Sequence, residues 1–155
     1  MTNDHGQGIS KGESSMPGIP VTVGEGASFT KTVSEFDIYQ FAGITGDFSP
    51  NHTNQFYMEH THWGRRMAHG ALLIGFIATA SKLAIEKAPD PWKVVPVSVG
   101  FDKVRFPVSV FLGDTVTVDC RFVRVEPERR RSVAEARVTN QQGILVAFAY
   151  HTFSG

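Results

Sequence analysis

The sequence predicts an α+β domain in which an antiparallel sheet wraps around one long central helix. Residues 70–87 are apolar on nearly every side, which is typical of a helix enclosed by other elements. From residue 97 onward, apolar and polar residues alternate with the period of half-buried strands. One long helix followed by strands with short connections favours an antiparallel sheet.

The first half of the domain is expected to hold a strand, a helix and a long loop. Residues 28–33 alternate as a strand, and residues 34–45 place apolar side chains near helical spacing, with Ser34 as the cap. Glycine and proline interrupt residues 46–67, so we expect mostly loop there, with a short helix capped by Asn54.

The second half is expected to be a sheet. After the central helix, the segment "APDPW" breaks the pattern and four strands follow. Val97, Val99 and Phe101 lie on one face of the first of these strands, and "RVEPERRRS" and "TNQQG" are typical of hairpin connections, so we expect a meander. A second copy of the chain would cover an open edge strand, so the sequence predicts a homodimer or a dimer of dimers.

Length and composition indicate one domain preceded by a leader. The chain has 155 residues, which is enough to bury a core without disulfides or a metal. Residues 1–26 are rich in Gly, Ser, Pro and polar groups, so we expect a flexible leader there and the domain in residues 27–155.

Charge and cysteine content limit the partners and the compartment. Fifteen basic and fifteen acidic residues cancel, so no net field favours nucleic acid or an anionic membrane. The apolar run "ALLIGFIATASKLAI" is too short for a membrane span and contains Ser81 and Lys82. Cys120 is the only cysteine, which excludes an internal disulfide and suits a reducing compartment, so we expect a cytoplasmic location.

The segment "GITGDFSPNHTNQF", residues 43–56, carries an acid and an imidazole five residues apart. Asp47 and His52 flank Pro50, whose ring fixes φ and stiffens the loop. A regular helix or strand would turn side chains at this spacing to different faces, whereas a stiff loop lets both converge on one molecule. Taken alone, Asp47 also fits an Asx-turn residue after Gly46, and both interpretations stay open at this point.

The run "FAGITGDFSPNHTNQFY", followed by "WGRRMAHGALL", resembles the signature of the MaoC-like (R)-specific enoyl-CoA hydratases, a family with the hot-dog fold. In that family a Gly-Asp pair precedes a variable residue, usually Asn, then Pro, an aliphatic residue and His. A His-Gly pair further along opens the central helix. The resemblance implies that Asp47 and His52 are the catalytic acid/base pair and that the Gly70 amide is the oxyanion donor.

Two positions depart from the family pattern. Ser49 stands where Asn is usual, and Asn51 stands where an aliphatic residue is usual. Both add polarity beside the pair, so we expect them to contact a branched or otherwise functionalised acyl group. The remaining substrate-binding residues are expected to be Phe48, Trp63, His69 and Ala71.

The resemblance implies reversible hydration of a trans-2-enoyl-CoA to an (R)-3-hydroxyacyl-CoA. That reaction needs a nucleophilic water at Cβ, a proton at Cα and a donor to the enolate oxygen. Asp47 would accept the proton of the water while His52 holds the water and shuttles a proton, and burial beneath the acyl chain would raise the pKa of Asp47. Gly70 lies at the positive end of the helix. Coenzyme A enters as part of the substrate, and no separate cofactor is expected.

Three alternatives accompany this hypothesis. His60 and His62, near His52 and His69, suggest a metal site, but the resembling family needs no metal and we expect none. Thioester hydrolysis on the same fold is one rival, and a non-catalytic acyl-CoA-binding or scaffold subunit is another. Basic candidates for the coenzyme A phosphates stay open; they are Arg65, Arg66, Lys103, Arg105 and residues 128–132.

Overall fold

The computed structural model describes residues 18–155, which form one antiparallel sheet and four α-helices. The elements are β1 (Gly26–Thr32), α1 (Glu35–Thr45), α2 (Pro50–Thr53), α3 (Gln55–Glu59), α4 (Gly70–Glu86), β2 (Val97–Arg105), β3 (Thr115–Glu126), β4 (Arg131–Asn140) and β5 (Leu145–Ser154). A short 3₁₀ turn, Pro127–Arg129, joins β3 to β4.

The sheet has the strand order β1-β3-β4-β5-β2. The predicted meander is therefore wrong in one respect, because only β3, β4 and β5 follow one another and β2 lies on the far edge. There β2 pairs with β5, with Phe101 opposite His151. The connection between β2 and β3 must cross the end of the sheet, and it passes beside the start of α4, where the Ala68 amide donates to the Val110 carbonyl at 2.7 Å. This crossing places residues 106–110 next to the first turn of α4.

The central helix α4 packs on one face of the sheet. Leu73, Phe76, Ile77, Ala80 and Ala84 are buried and share one hydrophobic core with the inward side chains of β3, β4 and β5. The predicted helix is confirmed, but it is covered on one side only, and its opposite side leaves residues such as Ala71, Gly75 and Lys82 exposed. No helix within residues 18–155 is long and apolar enough to cross a bilayer.

The packed part of the chain begins before residue 27. Residues 1–17 of the predicted leader lie outside the described residues, but Ile19 and Val21 are buried and belong to the hydrophobic core. The Gly24 amide also donates to the Phe122 carbonyl at 2.8 Å. Two isolated apolar residues in a Gly- and Pro-rich segment produce no periodicity, so composition alone placed the boundary too late.

Both predicted helix caps are confirmed. Ser34 accepts a hydrogen bond from the Asp37 amide, and the Asp37 carboxylate accepts one from the Ser34 amide at 2.8 Å, which completes a capping box. The Asn54 side chain accepts from the Tyr57 amide at 2.9 Å and starts α3. These caps fix both ends of the chain segment that carries Asp47 and His52.

The apolar face predicted for β2 is exposed in the single chain. Val97 and Val99 are 56% and 48% exposed, and neither is half-buried as the alternation suggested. The reason is the position of β2 at the sheet edge, beyond the reach of α4. Phe101 differs, because its ring stacks on His151 at 4.0 Å.

A buried polar network lies between α4 and the sheet. His151 on β5 is 1% exposed, and its ring nitrogens bond the hydroxyls of Ser98 at 2.8 Å and Ser81 at 3.1 Å. Ser81 also lies 3.3 Å from the Cys120 thiol. Burial lowers the pKa of His151 from its ordinary value of 6.5 to about 4, so the ring is neutral at neutral pH. His151 is therefore a core residue whose two ring nitrogens are both hydrogen-bonded.

We expect His151 to make the fold sensitive to acid. Its pKa is lower in the folded chain than in the unfolded chain, so unfolding takes up a proton as the pH falls from 6.5 to about 4. This difference removes about 3 kcal/mol from the free energy of unfolding by the acid end of that window. Urea unfolding at several pH values measures it, with His151→Gln as the control because Gln can bond both serines without titrating. An equal loss in His151→Gln would contradict this assignment.

Candidate active site

Asp47 begins the loop directly after α1. The helix ends at Gly46, whose φ of 81° is a left-handed conformation that suits glycine, and its amide donates to the Ala42 carbonyl at 2.8 Å. The Oδ1 atom of Asp47 accepts hydrogen bonds from the Ser49 amide at 3.2 Å and from the Ser49 hydroxyl. Asp47 therefore forms the Asx turn through Oδ1, and its other carboxylate oxygen, Oδ2, is left for other contacts.

His52 lies on a helical turn, which corrects the expectation that the segment around it is loop. Pro50 occupies the first position of α2, where its fixed φ and missing amide hydrogen favour a helix start. The His52 Nδ1 atom donates to the Met67 carbonyl at 2.8 Å, since a carbonyl can only accept. The neutral ring therefore presents its lone pair at Nε2, to which the Asn51 side-chain amide donates at 3.1 Å.

His69 connects the Asp47 loop to the start of α4. It is the N-terminal cap residue of that helix, is 3% exposed, and donates from Nε2 to the Asp47 carbonyl at 2.9 Å. Its ring stacks on the His52 ring, with centroids 3.7 Å apart. Gly70 follows as the first helical residue, so its amide has no partner within the helix. These contacts place the two candidate catalytic side chains beside the positive end of α4.

The two acceptor atoms of the pair face each other across a short gap. Asp47 Oδ2 lies 3.8 Å from the Nε2 atom of His52. One water molecule can bridge these two atoms by donating one O–H group to Asp47 Oδ2 and the other to His52 Nε2, whose single lone pair it then takes over from the Asn51 amide. The arrangement can therefore hold a water and take a proton from it.

The pKa of Asp47 is lowered, whereas the sequence led us to expect a raised value. Hydrogen bonds from the Ser49 hydroxyl and then the Ser49 amide stabilise the carboxylate, and they outweigh desolvation because the side chain is 46% exposed. The neighbouring imidazoles of His52 and His69 act in the same direction. Asp47 is therefore ionised at neutral pH and available as a proton acceptor in the single chain.

A small cavity of about 180 Å³ opens beside His52 and Gly70. Phe106 forms part of its wall, and a Cβ added at Gly70 would lie only 3.1 Å from the Phe106 ring. Glycine at this position therefore leaves room between the helix start and the wall. The other lining residues are Met67, Ala68, Leu73, Val108, Ser109 and Val110.

Comparison with known proteins identifies the family. The model of the family described as "MaoC like domain" matches residues 20–143. The chain belongs to the MaoC-like domain family. The resemblance inferred from the "GDFSPNH" and "HG" motifs is thereby confirmed.

Named relatives of this MaoC-like domain include enzymes that act on acyl-CoA substrates. The chain is 36% identical over 107 residues to an (R)-specific enoyl-CoA hydratase of Rhodospirillum rubrum, a match that covers 69% of each chain. It is 33% identical over 102 residues to a 3-hydroxybutyryl-CoA dehydratase of Methylorubrum extorquens, covering 66% of this chain and 60% of the relative. An unliganded R-hydratase structure from Pseudomonas aeruginosa is 28% identical with a TM-score of 0.74, covering 90% of this chain and 87% of the other. The predicted hot-dog fold is confirmed by this similarity and by the sheet around α4.

The structure brings together most of the residues predicted for this MaoC-like domain. Asp47, Ser49, Asn51, His52 and His69 are joined by the hydrogen bonds and ring contacts described above, with Gly70 at the adjoining helix start. Phe48 and Ala71 are exposed neighbours of this cluster in the chain. Trp63 instead packs against His62 at 4.5 Å and Phe111 at 6.3 Å between ring centroids.

The β2–β3 connection supplies one wall of the cavity, which we did not predict from the sequence. Phe106, Val108, Ser109 and Val110 line the cavity, although they lie far along the chain from the catalytic motif. The stretch "VSVGFDKVRFPVSVFLGDTVTV" resembles the family, and that resemblance was a signal that this segment belongs to the site. Its strand pairing was needed to show where the segment passes.

The structure shows what the basic residues considered for the coenzyme A phosphates contact within the chain. Arg66 is 8% exposed and pairs with Glu35 at 2.6 Å, so its guanidinium is engaged within the chain. Arg65 lies over the Phe111 ring at 4.1 Å. Lys103 lies over the Tyr150 ring at 5.6 Å.

Asp47, His52 and His69 also form a group of three side chains with metal-ligating atoms within 4.8 Å of one another. His69 Nε2 carries the hydrogen that it donates to the Asp47 carbonyl, so it offers no lone pair in this arrangement. The remaining acceptor atoms of the three side chains are Asp47 Oδ2, His52 Nε2, to which the Asn51 amide donates, and His69 Nδ1, which is buried without a partner. His60, which prompted the metal alternative, is bonded through Nδ1 to the Phe56 carbonyl at 2.7 Å.

Proposed function

We propose that this MaoC-like domain reversibly hydrates a short trans-2-enoyl-CoA to the (R)-3-hydroxyacyl-CoA. One observation carries the proposal: His52 and Gly70 line the same cavity, while Asp47 Oδ2 lies 3.8 Å from His52 Nε2. One member of the proton acceptor pair and a helix start with a free amide thus line one acyl-sized space, and the other member lies next to the first. The names of the Rhodospirillum rubrum and Methylorubrum extorquens relatives support this reaction class.

The proposed reaction adds one water across the double bond. Asp47 Oδ2 and His52 Nε2 hold the water, and its oxygen forms a bond to Cβ as one O–H proton passes to the pair. The electrons of the double bond move toward the thioester oxygen, which accepts a hydrogen bond from the Gly70 amide. His52 Nε2 then delivers the proton to Cα, so that water is added overall and the thioester stays intact. The reverse sequence dehydrates the hydroxyacyl ester.

The cavity favours a short acyl group. Its volume of about 180 Å³ is below the roughly 300–1,000 Å³ typical of pockets that enclose a whole small ligand. The acyl end can therefore be enclosed, whereas the pantetheine and nucleotide of coenzyme A must extend outside. The wall is largely apolar, with Leu73, Phe106, Val108 and Val110, which suits a hydrocarbon chain. Coenzyme A is part of the substrate, and the proposed steps need no resident cofactor.

We also propose that the protein acts as a homodimer, or a dimer of dimers, in the cytoplasm. The edge strand β2 carries the exposed side chains of Val97 and Val99, and a second copy would remove them from water. The single cysteine, Cys120, is free and buried, which suits a reducing compartment. The balanced charge gives no reason to expect nucleic acid or a membrane as partner.

A substrate panel tests the proposed function. The protein is incubated with crotonyl-CoA, a medium-chain enoyl-CoA, and branched and carboxylated enoyl-CoAs, while loss of the conjugated thioester absorbance and release of free thiol are followed together. We expect rapid loss with crotonyl-CoA, slower loss with the longer chain because of the cavity size, and no thiol. Chiral analysis of the product is expected to give the (R) isomer.

Two outcomes of the same panel would overturn the proposal. Thiol release in step with absorbance loss would identify thioester hydrolysis. Binding of the esters without any absorbance change in a folded protein would identify a non-catalytic acyl-CoA-binding subunit. Preference for the medium chain over crotonyl-CoA would retain hydration but contradict the assignment of the small cavity to the acyl group.

A further inference from the structure

We propose that Ser49 and Asn51 are positioning residues for the acid/base pair, and that each donates a hydrogen bond to one member of the pair. This inference rests on the proposed hydratase function. The sequence led us to expect that both residues contact a functionalised acyl group. The structure instead directs the Ser49 hydroxyl to Asp47 and the Asn51 side-chain amide to His52.

Ser49 fixes the orientation of an otherwise mobile carboxylate. The Asp47 side chain is 46% exposed, so packing alone does not hold it. The Ser49 amide and hydroxyl both bind Oδ1, which turns the other oxygen, Oδ2, toward the imidazole of His52. Both bonds also stabilise the ionised form and lower the pKa of Asp47. Ser49 therefore both orients the Asp47 carboxylate toward His52 and stabilises its ionised form.

Asn51 is suited to a histidine that gains and loses a proton. In the neutral ring, His52 Nε2 is an acceptor and the Asn51 amide donates to it at 3.1 Å. When Nε2 is protonated it becomes a donor, and a half-turn of the Asn51 amide group presents its oxygen as the acceptor. An aliphatic residue at this position can satisfy neither state. Asn51 and His52 are also both bonded to Met67. The Met67 amide donates to the Asn51 carbonyl at 3.0 Å, and the Met67 carbonyl accepts from His52 Nδ1 at 2.8 Å.

The existing hydrogen bonds give a separate reason to assign these residues to the pair. Like Asp47, neither Ser49 nor Asn51 belongs to the lining of the cavity, which includes His52, Gly70 and Phe106. Their polar groups are already bonded to Asp47 and His52, so an acyl group would have to break those bonds to reach them. A role in holding the pair before the water binds therefore accounts for both hydrogen bonds.

The first test reads the protonation of the two side chains and needs no turnover. Carbon-13 NMR follows the Asp47 carboxyl during a pH titration of the wild type and Ser49→Ala, with Asp47→Asn to assign the signal. Nitrogen-15 NMR follows the His52 ring in the wild type, Asn51→Leu and the isosteric Asn51→Asp. We expect Ser49→Ala to raise the midpoint of the Asp47 titration. We expect Asn51→Asp, whose carboxylate can only accept, to raise the fraction of His52 rings with a hydrogen on Nε2 relative to the wild type at the same pH.

The second test reads catalysis of the same variants with crotonyl-CoA. Loss of one hydrogen bond that orients the pair should lower kcat by about two- to tenfold in Ser49→Ala and in Asn51→Leu, with little change in KM. If the residues contact the acyl group instead, KM should rise for functionalised esters while the NMR signals stay as in the wild type, and this result would overturn the proposal. Unchanged NMR signals in all three variants would overturn it as well. If the wild type has no turnover, the hydratase function fails, but the NMR measurements still decide whether Ser49 and Asn51 hold the pair.

Discussion

Replacing Asp47 by Asn is expected to lower kcat/KM for crotonyl-CoA hydration by about 10²- to 10⁴-fold, the usual contribution of a positioned acid/base group. Asn retains one oxygen that can accept both hydrogen bonds from Ser49, so the turn after α1 should keep its shape. The change replaces only the Oδ2 acceptor, which faces His52 at 3.8 Å, by an amide group that donates. The loss should therefore fall on the chemical step.

Steady-state kinetics of hydration and equilibrium unfolding in urea check this expectation together. The free energy of unfolding should change by no more than about 1 kcal/mol, because a partly exposed side chain is replaced by one of the same shape. Activity within about threefold of the wild type, in a variant that folds normally, would remove Asp47 from the proton transfer. His52 would then be the remaining proton acceptor.

Replacing Gly70 by Pro tests the oxyanion donor with little change to the backbone. Proline is favoured at the first position of a helix, and His69, with φ −61° and ψ 130°, already has a conformation that suits the residue before proline. The substitution removes the amide hydrogen that we assign to the developing enolate. The expected cost is about 2.7–4 kcal/mol of transition-state stabilisation, or about 10²- to 10³-fold in kcat.

Gly70→Ala is the matched control for this experiment. Alanine adds a Cβ that would lie 3.1 Å from the Phe106 ring, as proline does, but it keeps the N–H group. We therefore expect Gly70→Ala to lose some activity through crowding of the cavity. Gly70→Pro should lose a further 10²- to 10³-fold in kcat, about the contribution of the missing N–H group. Equal activity in the two variants would show that the Gly70 amide does not stabilise the transition state.

Much of the candidate site was accessible from the sequence because its residues lie in two short motifs. The "GDFSPNH" motif supplied Asp47 and His52, and the "HG" motif supplied His69 and Gly70. Side chains within a few residues of one another on a constrained segment can be expected to cluster. The caps at Ser34 and Asn54 were likewise predictable, because a cap depends on local hydrogen bonds.

The parts that the sequence did not reveal depend on contacts between distant segments or on single hydrogen bonds. Alternation in β2 predicted a strand but did not indicate whether its partner is β3 or β5. Because β2 pairs with β5, the connection to β3 crosses the end of the sheet, and Phe106 lies next to Gly70. The one-turn helix α2 is too short to produce periodicity. The direction of the Asp47 pKa shift depends on the Ser49 hydroxyl, whose orientation only the structure supplies.

Hydration of crotonyl-CoA in water enriched in oxygen-18 is the most direct test of the central claim, that Asp47, His52 and the Gly70 amide act on one enoyl thioester in the cavity. Mass spectrometry of the product locates the label. We expect one labelled oxygen on Cβ with the thioester intact, and loss of that product in Asp47→Asn. Label in a free carboxylate together with released coenzyme A, or no labelled product from a folded wild-type protein, would contradict it.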